Sequence, residues 1–186
     1  MRGTRALALA LPLLVALAAP AQAGVAVGAY GGYNFTIIQD DSDHGALFGL
    51  KAKIDAVPVV VLEPSITFIS VGDKENEDDA VGTFTQAGGS IQALALNANF
   101  GGSYRTEPGV GFYGTGGIGM YSLKPDTPYL DDESRFGFNA GAGFVVKPSP
   151  MFDIDLSARL HVITLDGGGS RKSVGIYAGA DFYFGL

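Results

Sequence analysis

The sequence contains no cysteine and no tryptophan, only two histidines, and charged side chains at 17% of its positions. Without cysteine there are no disulfides, no thiolate zinc sites, no thiol nucleophile and no lipid-modified N-terminal cysteine. Cations are scarce as well: 12 Lys and Arg stand against 19 Asp and Glu, a formal charge of −7. Binding nucleic-acid phosphates needs a basic surface, so nucleic acid is excluded as a partner. The chain is too apolar for a disordered segment, with 47% hydrophobic residues. Beyond its N-terminus no stretch reaches about 18 consecutive apolar residues, so no transmembrane helix is expected there. A length of 186 residues suits one domain.

What is present begins with an address. Arg2 and Arg5 precede a run, residues 6–21, made only of Leu, Ala, Val and Pro, and Ala21-Gln22-Ala23 supplies small residues at a cleavage position. Charged, apolar and small-residue segments in that order make a secretory signal peptide. The apolar run is shorter than the roughly 20 residues of a spanning helix. Residues 1–23 are therefore expected to be cleaved, leaving 24–186 as the mature domain. Losing Arg2 and Arg5 makes the remainder more acidic still.

The rest alternates with period two, the signal of strands with two unlike faces. The clearest run sets Phe152, Ile154, Leu156, Ala158, Leu160 and Val162 against Asp153, Asp155, Ser157, Arg159 and His161. Residues 174–186 and 136–146 repeat the pattern, as do shorter runs over 48–54 and 60–68. The first run, residues 25–38, places Val25, Val27, Ala29, Tyr33, Phe35 and Ile37 together. Residues 83–100 switch phase near Gly88-Gly89, as one strand with a bulge would, and 110–123 is diluted by glycine. The count is eight strands. Polar loops over 39–45, 71–82, 125–134 and 166–172 alternate with tight Pro-bearing turns at 56–58 and 147–150, with a longer connection at 101–109. Long connections at one rim and short ones at the other belong to a transmembrane β-barrel.

Energetics assign the faces. Turning residues 152–162 inside out would put Asp153, Asp155 and Arg159 in hydrocarbon, and a midplane Arg on the lipid face costs about 2–4 kcal/mol. The apolar set must face out. An eight-stranded barrel is only wide enough for side chains to fill it. The expectation is an all-β, eight-stranded antiparallel up-and-down barrel. Its interior ionic core would hold Lys51, Lys53, Glu63, Asp153, Asp155, Arg159 and His161, joined by Asn97, Asn99 and Asn139.

These features together resemble the small bacterial outer-membrane β-barrels of the outer membrane protein A-like, W-like and X-like group. The resemblance rests on the leader, the stretches Leu62-Glu63-Pro64-Ser65-Ile66 and LALNANF (94–100), and the ending Gly179-Ala180-Asp181-Phe182-Tyr183-Phe184. It implies the outer membrane of a Gram-negative-type envelope, a lipid surround, and delivery by barrel-insertion machinery that reads a terminal aromatic. Here Phe184 stands two places before Leu186. It implies a structural or surface-interaction role, with a narrow channel for small molecules or a lipid-modifying enzyme as alternatives.

Motifs for other chemistry fail on geometry. Gly114-Thr115-Gly116-Gly117-Ile118-Gly119 fits a dinucleotide fingerprint, but that needs a helix to follow, and the residues after it continue as strand. Asp153-Ile154-Asp155 puts two carboxylates on one face, where Lys51, Lys53 and Arg159 are available to pair with them. Ser157 and His161 share a face roughly 13 Å apart at about 3.3 Å per residue, beyond hydrogen-bond reach within a strand. No catalytic residues, no cofactor and no dedicated metal site are expected. Most of the 19 acids fall in the loops: Asp40, Asp41 and Asp43; Asp73, Glu75, Glu77, Asp78 and Asp79; Asp126, Asp131, Asp132 and Glu133; and Asp166. They are expected to be solvated and to hold divalent cations weakly at most.

Overall fold

The computed structural model describes residues 24–37, 44–57, 59–78, 82–86, 88–101, 109–126, 132–165 and 168–184. The leader expected over residues 1–23 lies outside them. Eight strands close into one antiparallel barrel: β1 (Val25–Ile37), β2 (Gly45–Val57), β3 (Val60–Val71), β6 (Gly89–Gly101), β7 (Gly109–Pro125), β8 (Glu133–Ser149), β9 (Phe152–Thr164) and β10 (Ser170–Phe184). Neighbours in sequence are neighbours in space, and β1 pairs with β10 to seal the cylinder. Closure leaves the barrel wall no unpaired edge, which a sheet in lipid cannot tolerate. Barrel strands run from 12 to 17 residues, more than the roughly 9–11 a tilted strand needs to cross the hydrocarbon.

The faces follow the alternation. Along β9, Asp153, Asp155, Ser157, Arg159 and His161 are buried while Phe152, Ile154, Leu156 and Leu160 are exposed. Exposed Phe48, Phe112, Phe138, Phe182 and Phe184 belong to the same outer belt. The fingerprint glycines 114–119 lie inside β7, with strand continuing on both sides. Between β9 and β10 the chain reverses through Gly168 and Gly169 at φ of 96° and 95°, a region open chiefly to glycine.

One expectation is corrected. Within the expected loop 71–82, residues 74–78 form a strand, and 83–100 is not one bulged strand. β4 (Lys74–Asp78) and β5 (Gly82–Gln86) form a separate two-stranded hairpin, with Asn76 opposite Phe84. The phase switch at Gly88-Gly89 marks where the chain leaves the hairpin and re-enters the barrel. A Cβ on Gly88 would sit 2.1 Å from the Val71 carbonyl oxygen, and the Gly88 amide donates to Asp73 Oδ1 at 2.7 Å. Period-two patterns on the two sides of this neck therefore belong to different sheets.

Candidate functional site

Inward side chains fill the lumen in three successive layers. At the end bearing the short turns, β2 contributes Lys51 and Lys53, β9 contributes Asp153 and Asp155, and β10 contributes Asp181. Lys51 Nζ lies 3.0 Å from Asp155 Oδ2 and 3.2 Å from Asp181 Oδ2. Lys53 Nζ reaches Asp181 Oδ2 at 2.7 Å, Asp155 Oδ2 at 3.2 Å and Asp153 Oδ1 at 3.4 Å. Tyr113 Oη donates to Asp155 Oδ2 at 3.1 Å. Asp153 and Asp181 stand directly opposite each other on β9 and β10, an arrangement that repels unless cations intervene. Lys53 intervenes, reaching both.

Glycine makes that contact possible. Asp181, Gly28 and Lys51 lie in one row across β10, β1 and β2. A Cβ on Gly28 would fall 2.0 Å from Asp181 Oδ1, so only a bare backbone lets the carboxylate reach over β1 to the ammonium. Gly117 repeats the device one layer up. It separates Asn97 on β6 from Asn139 on β8, and its Cβ would fall 2.1 Å from Asn97 Oδ1. Across it Asn139 Nδ2 donates to Asn97 Oδ1 at 2.8 Å.

That middle layer centres on Glu63, fully buried on β3. Arg159 Nη2 crosses the lumen to Glu63 Oε1 at 2.8 Å, and Asn99 Nδ2 donates to Oε2 at 2.9 Å. Asn97 Nδ2 donates to the Glu63 carbonyl and to Ser65 Oγ, both at 3.2 Å. A buried carboxylate without such partners would be costly.

The layer nearest the long loops is largely apolar. Leu47, Ile69, Val71, Ile91, Ala93 and Ile163 pack with Tyr121 and Tyr177 into one cluster. His161 sits beneath it, with Tyr121 Oη 2.9 Å from Nδ1 and Tyr177 Oη hydrogen-bonded to Nε2. The Arg159 guanidinium lies 5.4 Å from the centre of the Tyr177 ring.

The seven residues assigned to one ionic core thus separate. Lys51, Lys53, Asp153 and Asp155 share the turn-side layer, and Glu63 and Arg159 pair above them. His161 bonds two phenols. Arg159 serves Glu63 rather than the Asp153–Asp155 pair. Sequence reasoning left Asp181 out of the core, although period two already put it on the polar face of β10. It also missed the apolar layer, whose Ile69 and Val71 continue the parity of Glu63, Ser65 and Thr67 along β3.

At the loop end, Asp73 is exposed apart from its bond to Gly88. Glu75, Glu77 and Asp78 belong to β4 rather than to irregular loop. Asp132 lies 3.8 Å from Lys124 Nζ, and Glu133 lies 2.7 Å from Arg135 Nη2. Asp40, Asp41, Asp43, Asp79, Asp131 and Asp166 lie outside the described residues. Among the described residues no group of three or more His, Asp or Glu is placed to hold a metal ion.

A closed eight-stranded barrel with an apolar outer wall and a side-chain-filled lumen defines a small transmembrane β-barrel. Residues 7–184 match the family described as outer membrane protein beta-barrel domain, and the chain belongs to that family. Its place is the outer membrane, with lipid against the apolar belt. Among solved structures it is similar to neisserial surface protein A, at 14% identity and a TM-score of 0.63, over 87% of this chain and 97% of that one. It is similar as well to the N-terminal barrel domain of Pseudomonas aeruginosa OprF, at 17% identity and a TM-score of 0.56 with the same coverage. A third is Ail of Yersinia pestis, the attachment invasion locus protein, in complex with the heparin analogue sucrose octasulfate. There the identity is 19% and the TM-score 0.51, again over 87% and 97% of the two chains. These likenesses concern the fold. No curated protein matches the sequence.

Proposed function

We propose that this protein is a non-conducting, non-enzymatic barrel that anchors acidic loops at the outer surface and serves a structural or surface-interaction role. The observation that carries the reading is the occupied lumen: an ionic layer, the Glu63–Arg159 layer and an apolar layer follow one another along the axis. Water and solutes would have to displace paired buried charges and then a packed hydrocarbon cluster. Both ring nitrogens of His161 are engaged by Tyr121 and Tyr177, which leaves none to activate Ser157 as a nucleophile. The leader over 1–23 delivers the chain, the mature protein begins at Gly24, and the barrel-insertion machinery assembles it. The loop acids hold divalent cations weakly, partly offset by Lys124 and Arg135.

Planar-bilayer recording of the refolded mature protein tests the reading. The expected result is no conductance above the lipid baseline. Steady unitary conductance would establish the narrow-channel alternative instead. A mass shift in lipid A on overexpression would establish the enzyme.

A further inference from the structure

The outer wall is not uniform on β1, β2 and β3. Toward the loops its outward positions carry aromatics: Tyr33 and Phe35 meet edge-on at 5.1 Å, and Phe48 stacks on Phe68 at 5.2 Å. Toward the short turns the same strands carry Val27, Ala29 and Ala52, and Ala180 lies beside Ala29 on β10. These small side chains form the floor of a groove of about 680 Å³, walled by Leu50 and Ile66 on one side and by Phe152 and Phe182 on the other. The floor crosses a break in the ladder. Pairing of β2 with β3 runs as far as Lys51–Ser65 and resumes only at Ile54–Leu62, and Pro64, which lines the groove, has no amide hydrogen to donate.

We propose that this groove is a seat for one acyl chain of a phospholipid from the periplasmic leaflet. Three arguments select that occupant. The groove is continuous with the lipid-facing belt, since Val27, Leu50 and Phe182 are exposed members of both. It lies at the turn end of the barrel, and short turns face the periplasm. In hydrocarbon, association depends on close packing, because no hydrophobic force remains to drive it. An acyl chain lying on alanines between Leu50 and Phe182 touches protein on three sides, where a chain elsewhere on the wall touches it on one. A second barrel fits poorly: its convex wall would meet projecting Phe152 and Phe182 before reaching the floor.

The test uses mature protein in phosphatidylethanolamine–phosphatidylglycerol vesicles doped with phosphatidylethanolamine bearing a photoactivatable diazirine on one acyl chain. Cross-linked peptides are then mapped by mass spectrometry. In the wild type, label should concentrate on the turn-side peptides of β1, β2 and β10. Ala52→Phe or Ala180→Phe should lower labelling there about fivefold, the worth of roughly ten lost atom–atom contacts. Ala142→Phe, on an exposed position of β8, should leave the groove label unchanged. Even labelling around the circumference of the wild type would overturn the proposal, whether or not the variants assemble. So would barrel-to-barrel cross-links across the groove in place of lipid label.

Discussion

The two ends of the lumen solve the same filling problem with opposite chemistry. At the turn end, two lysines face three aspartates, and every charge draws on partners from other strands. At the loop end, aliphatic side chains and two tyrosines pack over a histidine whose two ring nitrogens each meet a phenol. Ionic filling is directional: each group needs a particular partner, and removing one strands the others. Apolar filling is adaptable, since neighbours can relax into part of a lost volume. The turn end should therefore be brittle and the loop end forgiving.

The largest effect should come from breaking the ionic end. Lys53→Met removes the lysine bonded to Asp153 and leaves Asp155 and Asp181 to Lys51, and should lower stability by about 3–5 kcal/mol. Urea unfolding in lipid vesicles, followed by circular dichroism and by gel mobility without boiling, would measure it. Glu63→Ala, which leaves Arg159 buried without its carboxylate, belongs in the same range. A loss below about 1 kcal/mol for either variant would mean that water already solvates these charges. At the loop end, Ile69→Ala should cost about 2–5 kcal/mol by the same assay, placed toward the lower figure by collapse of the surrounding cluster.

The glycine bridges sharpen the comparison. Gly28→Ala forces a methyl against Asp181 and should cost about 1–3 kcal/mol through displacement of a packed group. Gly117→Ala disturbs a neutral amide pair by the same geometry and should cost less, nearer the roughly 0.5–1.5 kcal/mol of one hydrogen bond. Equal losses would show that steric strain, and not charge, sets the sensitivity. A similarly small effect is expected from Tyr177→Phe, which removes one phenol–imidazole bond while keeping the ring in the cluster, at about 1 kcal/mol.

Reading the residues one at a time carried far along β9, where polar and apolar residues alternate from Phe152 to Val162 and a slip of one place would expose Asp153, Asp155 and Arg159 to lipid. It failed at residues 83–88. A phase change there has two readings, a bulge within one strand or a neck between two sheets, and local pattern is the same for both. It also failed at Ile69, Val71 and Ile91, because apolar residues on both faces of a strand give no alternation to read.

Sequence by itself determined the period of two, the face that meets lipid, and most of the polar side chains that share the interior. Those are consequences of local geometry and of the cost of putting charge in hydrocarbon. Which of those side chains meet was decided only by closure. Joining β1 to β10 brings Asp181 over Gly28 to Lys51, and curvature carries Arg159 across the lumen to Glu63. The residues in these contacts stand about 100 positions apart or more, and the order and stagger of the strands around the cylinder, which no local period encodes, fix their meeting.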